Sequence, residues 1–155
     1  MKARLRFVAA LVLLSPMLAH AQAMSPADFV AKVAAADMFE IESSKLALER
    51  AQTEKVKTFA ADMVDAHGRS SKLLADAARD QGVEMPTALD PAQQARLDQL
   101  KALDPQQFDQ AYTTMQIETH TEAVGLFDSY AKDGEAGPVK TFALQNNNMI
   151  RMHLV

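Results

Sequence analysis

Apolar positions recur every three to four residues through four long stretches of the chain, and that period predicts amphipathic helices. One stripe reads Phe29, Val33, Ala36, Glu40, Ser44, Ala47, Ala51. A second reads Val56, Phe59, Ala60, Met63, Val64, Ser71, Leu74, Ala78, with His67 at its centre. Ile117, His120, Val124, Phe127 and Ala131 make a third, and Val139, Phe142, Asn146, Met149 and His153 a fourth. Runs of β-branched residues are short and lie inside this helical period, so no strand is predicted. The pattern describes an all-α protein.

Punctuation between the stripes sets the boundaries. Ser25-Pro26 supplies an N-cap and a first-turn proline, with Asp28 in the first turn, and starts a helix running to about Arg50. Thr53 caps a second helix that stops at Gln81-Gly82, a glycine suited to the left-handed position after a helix. Asp90-Pro91 and Asp104-Pro105 are two more cap-proline pairs. They predict a short helix from Pro91 to about Leu103 and a long one from Pro105 to about Lys132. The last helix should run from about Glu135 onward, with Gly137-Pro138 in its first turn. The Gly82–Asp104 connection is long enough to cross the bundle, which makes helices two and three of the four long ones parallel. The expected architecture is a ferritin-like four-helix bundle with a long crossover that carries a short helix.

Lys2, Arg4 and Arg6, the apolar run Phe7–Leu18 and the small-residue stretch Ala19-His20-Ala21-Gln22-Ala23 have the three parts of a secretory signal peptide. Residues 1–23 are therefore assigned as a leader and residues 24–155 as one bundle domain, periplasmic or secreted, with no transmembrane span in the mature part. The chain has no cysteine, which excludes disulfides and cysteine-linked lipid. Without the leader, 13 basic side chains face 20 acidic ones, a net charge of −7 with neutral histidines. Such a surface repels phosphate, so nucleic acid is not a partner.

Four side chains could act together. At about 1.5 Å per helical residue, Glu40, His67, His120 and His153 lie at similar depths in their helices, close to mid-bundle. Asp37, three residues before Glu40, could bring a second carboxylate to the same face. Yet Asp37 and Glu42 read as solvated or helix-pairing charges rather than ligands, and His20 leaves with the leader.

Glu40 in Phe39-Glu-Ile41, Leu46-Ala-Leu48, Val56-Lys-Thr-Phe-Ala-Ala-Asp-Met-Val64 with His67, Phe108-Asp-Gln-Ala-Tyr112 with His120, and Phe142-Ala143 with His153-Leu154 form a combination. It resembles the exported bacterial proteins of domain-of-unknown-function family 4142. The resemblance spans the mature chain and implies a ferritin-like four-helix fold with no agreed activity. Ala66 stands where that family usually has aspartate, and Asn147-Asn148 where it has leucine-proline. The sequence also ends two residues beyond His153, where relatives continue, which implies a shortened or altered last helix.

Bridged di-iron sites use Glu-x-x-His pairs, but the residues three before His67, His120 and His153 are Val64, Ile117 and Ile150. One carboxylate with three imidazoles suits a single zinc, iron, manganese or copper ion. Met63 and Met149, each four residues before a histidine, and Met115 add a softer copper(I) signal, although methionine is first a core filler. There is no Gly-x-Ser-x-Gly elbow and no phosphate loop, so hydrolase and nucleotide chemistry lack support. Two functions follow. One is a non-catalytic module that binds a partner or serves in envelope stress, its Glu/His layer fixing helix register. The alternative is a transition-metal-binding, redox-active bundle protein using Glu40, His67, His120 and His153.

Overall fold

Side chains that satisfy the first free N–H groups fix where the helices begin. Ser25 accepts from the Asp28 amide, Thr53 from Val56 and Asp90 from Gln93, and proline occupies the first turn after Ser25, Asp90, Asp104 and Gly137. The computed structural model describes residues 23–154. The leader assigned to residues 1–23 lies, apart from Ala23, outside them. The helices are α1 (Pro26–Arg50), α2 (Glu54–Asp80), α3 (Pro91–Ala102), α4 (Pro105–Asp133) and α5 (Pro138–Met152), with no strand among the described residues. Gly82 takes the left-handed conformation, φ 71°, and the Val83 amide folds back onto the Ala78 carbonyl at 2.8 Å, closing α2.

The last helix departs from the sequence expectation. It begins at Pro138 rather than near Glu135, because a residue that precedes proline is disfavoured in the helical region. The helix has 15 residues, and His153 is its C-cap.

The four long helices form the bundle. α1 packs on α2 and α4, and α5 packs on the same two. Residues 44, 43 and 40 of α1 meet residues 112, 116 and 119 of α4, so that pair is antiparallel. Phe59 faces Tyr112 and His67 faces His120, with ring centroids 6.2 and 5.5 Å apart, and the matched advance makes α2 and α4 parallel. α3 carries the crossover along α1. Its Arg96 lies over the Phe39 ring at 5.6 Å, while Arg50 donates to the carbonyls of Leu100, Lys101 and Leu103.

Two apolar clusters fill the interior. One joins Phe29, Val33, Leu74, Phe127, Tyr130 and Phe142, with Phe29 stacked on Tyr130 at 4.1 Å. The other joins Ala47, Ala60, Leu100, Phe108 and Tyr112. Each large side chain buried there contributes on the order of 1.5–3 kcal/mol. Between the clusters runs a buried polar layer holding Asp37, Glu40, Ser43, Ser44, His67, Ser70, Gln116 and His120.

One exposed contact ties the far end together. The Asp109 carboxylate accepts from the Gln52 amide at 2.9 Å, the Thr53 amide at 3.0 Å and the Thr53 hydroxyl at 2.7 Å. Those donors hold the α1–α2 turn, so Asp109→Ala is expected to cost about 1–2 kcal/mol, as loss of a cap does. Urea denaturation measures it; a change below about 0.3 kcal/mol would remove this tie from the account.

Candidate metal centre

Three imidazoles from three helices converge in the polar layer. His67, His120 and His153 each present one nitrogen, and the three nitrogens lie within 4.8 Å of one another. The ring centroids are 5.1 to 5.6 Å apart. The register follows from a contact at one end of the bundle. The Gln81 side chain accepts from the Val139 amide at 2.9 Å, which sets the start of α5 level with the end of α2. His67 precedes Gln81 by as many residues as His153 follows Val139, so both reach the same depth.

Hydrogen bonds aim two of the rings. His67 Nδ1 donates to Asp37 Oδ1 at 2.7 Å, and His120 Nδ1 donates to the Gln116 carbonyl at 2.8 Å. With Nδ1 carrying the proton in each ring, Nε2 is left as a lone pair. His120 Nε2 lies 3.1 Å from His153 Nδ1. His67 Nε2 is buried with no hydrogen-bond partner. His67 and His120 are 6% and 2% exposed, whereas His153 is half-buried at the helix end.

Burial favours the neutral form of two of the three rings. Burial lowers the His120 pKa to about 4, against the Gln116 carbonyl bond that raises it, and His67 and His153 lower it further. His153 is also lowered to about 4, first by burial and then by His67, with Asp62 opposing. Neutral imidazoles are the metal-binding form.

The carboxylates divide differently from the sequence reading. Asp37 is a helix-pairing charge rather than a solvated one: it is 3% exposed, pairs with His67 and accepts from the Ser71 hydroxyl at 3.3 Å. Glu42 is exposed and pairs with Lys45. Glu40 is buried at the same level but faces α4, where Oε1 accepts from the Thr119 hydroxyl at 2.5 Å and Oε2 has no partner. It stands outside the three converging nitrogens. Burial raises its pKa, opposed by His67 and the Thr119 bond. Ile117, read as an inner neighbour of His120, is 55% exposed; Gln116 takes the inward position. Asn147 donates to Asp128 at 2.7 Å on the surface.

Comparison with known proteins adds the fold and the family. A DUF305 fragment from Deinococcus radiodurans superposes with a TM-score of 0.72 at 18% identity, covering 83% of this chain and 89% of its own. A DUF305 protein from Streptomyces coelicolor, described as secreted, gives 0.68 at 16% identity, covering 84% and 88%. No curated protein matches the chain. The family described as Domain of unknown function (DUF4142) matches residues 14–155, and the chain, with its four-helix bundle and inward histidines, belongs to that family.

Proposed function

We propose that this protein is an exported helical module that binds one transition-metal ion through His67, His120 and His153. The carrying observation is the His67 Nε2 lone pair, which is buried and unpartnered in a cluster where one nitrogen from each of three imidazoles lies within 4.8 Å of the others. A layer that served only to set helix register would satisfy its own groups, since an orphaned buried acceptor costs about 1–3 kcal/mol. A cation uses that lone pair. The carboxylate behind His67 and the backbone carbonyl behind His120 are the outer partners that metal-ligating histidines have, fixing tautomer and ring direction. His153 completes the set when its proton sits on Nε2, leaving Nδ1 free toward His120.

Three imidazoles with a fourth position open suit Zn2+ or Cu2+. Nitrogen donors alone give less to copper(I), which prefers sulfur, or to manganese, which prefers oxygen. Export is supported by the leader pattern of residues 1–23. No helix among the described residues is long and apolar enough to cross a membrane.

Calorimetric titration of chelator-treated protein tests the reading. One equivalent of Zn2+ or Cu2+ should bind, and His120→Ala should lose it. Asp37→Asn weakens the hydrogen bond behind His67, so its affinity should fall about 10- to 100-fold. No saturable uptake of either ion by the wild type would end the proposal.

A further inference from the structure

Beside the histidines lies a cavity of about 420 Å3 between α1, α3 and α4, and His67, His120 and Glu40 all line it. Apolar surface predominates on its walls, with Val33, Phe39, Leu126 and Phe127 among them, while the cations Lys32 and Arg96 and the anions Asp90 and Glu122 also line it and offset one another in charge. The polar end is unfinished. Glu40 is 2% exposed, its Oε1 is taken by Thr119, and its Oε2 has neither solvent nor a hydrogen-bond partner. Space with mostly apolar surface and a few inward polar groups is the form that small-molecule sites take. Its volume greatly exceeds the roughly 30 Å3 that one water occupies in the liquid.

Chemistry narrows the ligand. It needs a donor atom for the open metal position and a second polar atom for Glu40, with an apolar remainder for the walls. Charge narrows it further. A divalent ion on three neutral imidazoles, with the Asp37 carboxylate behind one of them, leaves a single uncompensated positive charge. A monoanion cancels it.

We propose that this cavity binds a short-chain monocarboxylate, with one head oxygen on the metal at the histidines, the other accepting a hydrogen bond from the Glu40 carboxyl, and the alkyl tail against Val33, Phe39 and Phe127. The assignment rests on the metal reading above and makes Glu40 a ligand-binding residue rather than a metal ligand. Burial, which favours the neutral carboxyl, makes Glu40 a donor.

The test uses the full chain loaded with one equivalent of Cu2+, titrated with acetate and butyrate while the visible copper band is followed. Two additional methylenes on the apolar wall should tighten butyrate over acetate by about tenfold. Glu40→Leu should weaken butyrate by at least about tenfold while Cu2+ affinity changes less than threefold, and Glu40→Gln, which keeps a donor, should restore most of it. Helix content by circular dichroism confirms that each variant folds.

Wild type that takes up no Cu2+ defeats the metal reading and this proposal together. Wild type that takes up Cu2+ but binds acetate and butyrate equally, or not at all, overturns the carboxylate site alone. So does a Glu40→Leu protein that binds butyrate as the wild type does. Loss of Cu2+ from Glu40→Leu and Glu40→Gln alike also overturns it, by making Glu40 a direct ligand.

Discussion

Addition of Zn2+ or Cu2+ to chelator-treated protein should raise its melting temperature by about 10 °C, and His67→Ala and His120→Ala should each abolish the rise. An ion that binds only the folded chain stabilises it by RT ln(1 + [L]/Kd), about 2.7 kcal/mol at a hundredfold excess over Kd. For a bundle of this size each kcal/mol is worth roughly 3–4 °C. The three nitrogens come from α2, α4 and the end of α5, so their convergence exists only in the folded chain. The metal-free variants should also differ from one another. His120→Ala removes a fully buried ring and should melt lower than the wild type before any metal is added. His67→Ala removes the unpaired Nε2 but leaves Asp37 with the Ser71 hydroxyl alone as donor, so two effects oppose. His153→Ala, at a half-buried position, should leave the metal-free fold nearly unchanged and weaken the ion's effect. A wild-type melting curve indifferent to every ion would return the layer to a purely structural role.

Without metal, the protein should lose stability as pH falls from about 6.5 to about 4. His120 and His153 have folded pKa values lowered to about 4, below the unfolded value of about 6.5. In that window the unfolded chain binds more protons, so the slope of stability with pH is positive. The contribution is fully present above the unfolded pKa. It fades as pH drops and is gone below the folded pKa. For His120, almost wholly buried, the whole span is worth on the order of 3 kcal/mol; His153, half-buried and opposed by Asp62, contributes less. Glu40 acts in the opposite sense. Its folded pKa is raised, so it favours the fold at low pH and loses that contribution as pH climbs above the carboxyl's ordinary value. Urea denaturation of chelated protein at pH 7.5, 6 and 4.5 reads the sum. His120→Asn should flatten the slope, and Glu40→Gln should steepen it. A Glu40→Gln protein whose stability stays level or rises toward pH 4.5 would show that the imidazoles are not held neutral.

Local chemistry wrote the helix starts and stops into the sequence. Serine, threonine or aspartate at a cap, proline in the first turn and Gly82 at a left-handed stop act within a few residues, so α1, α2 and α3 begin and end within about one residue of the predicted places. The length of the Gly82–Asp104 connection was enough to make α2 and α4 parallel. Because Glu40, His67 and His120 lie near the middle of long helices, their shared depth was legible too, whichever way each helix ran.

Rotation of each helix about its axis was not legible. Asp37 and Glu40 are three residues apart and so only about 60° apart around α1. Either could have turned toward the histidines. Packing of α1 between α2 and α4 decided it, giving Asp37 to His67 and Glu40 to Thr119. The same few tens of degrees put Gln116 inside and Ile117 outside on α4. His153 depended on a contact between residues far apart in the chain. The Gln81 bond to the start of α5, with the contacts of Asn147 and Arg151 to Asp128, sets how deep a short helix reaches, and that depth delivers its C-cap to the other two imidazoles. The sequence by itself determined the helices, their order and the level of the polar layer, because those follow from short-range hydrogen bonding and chain length. Which side chains face each other across that layer was decided by the tertiary structure, since facing depends on how all four helices pack at once.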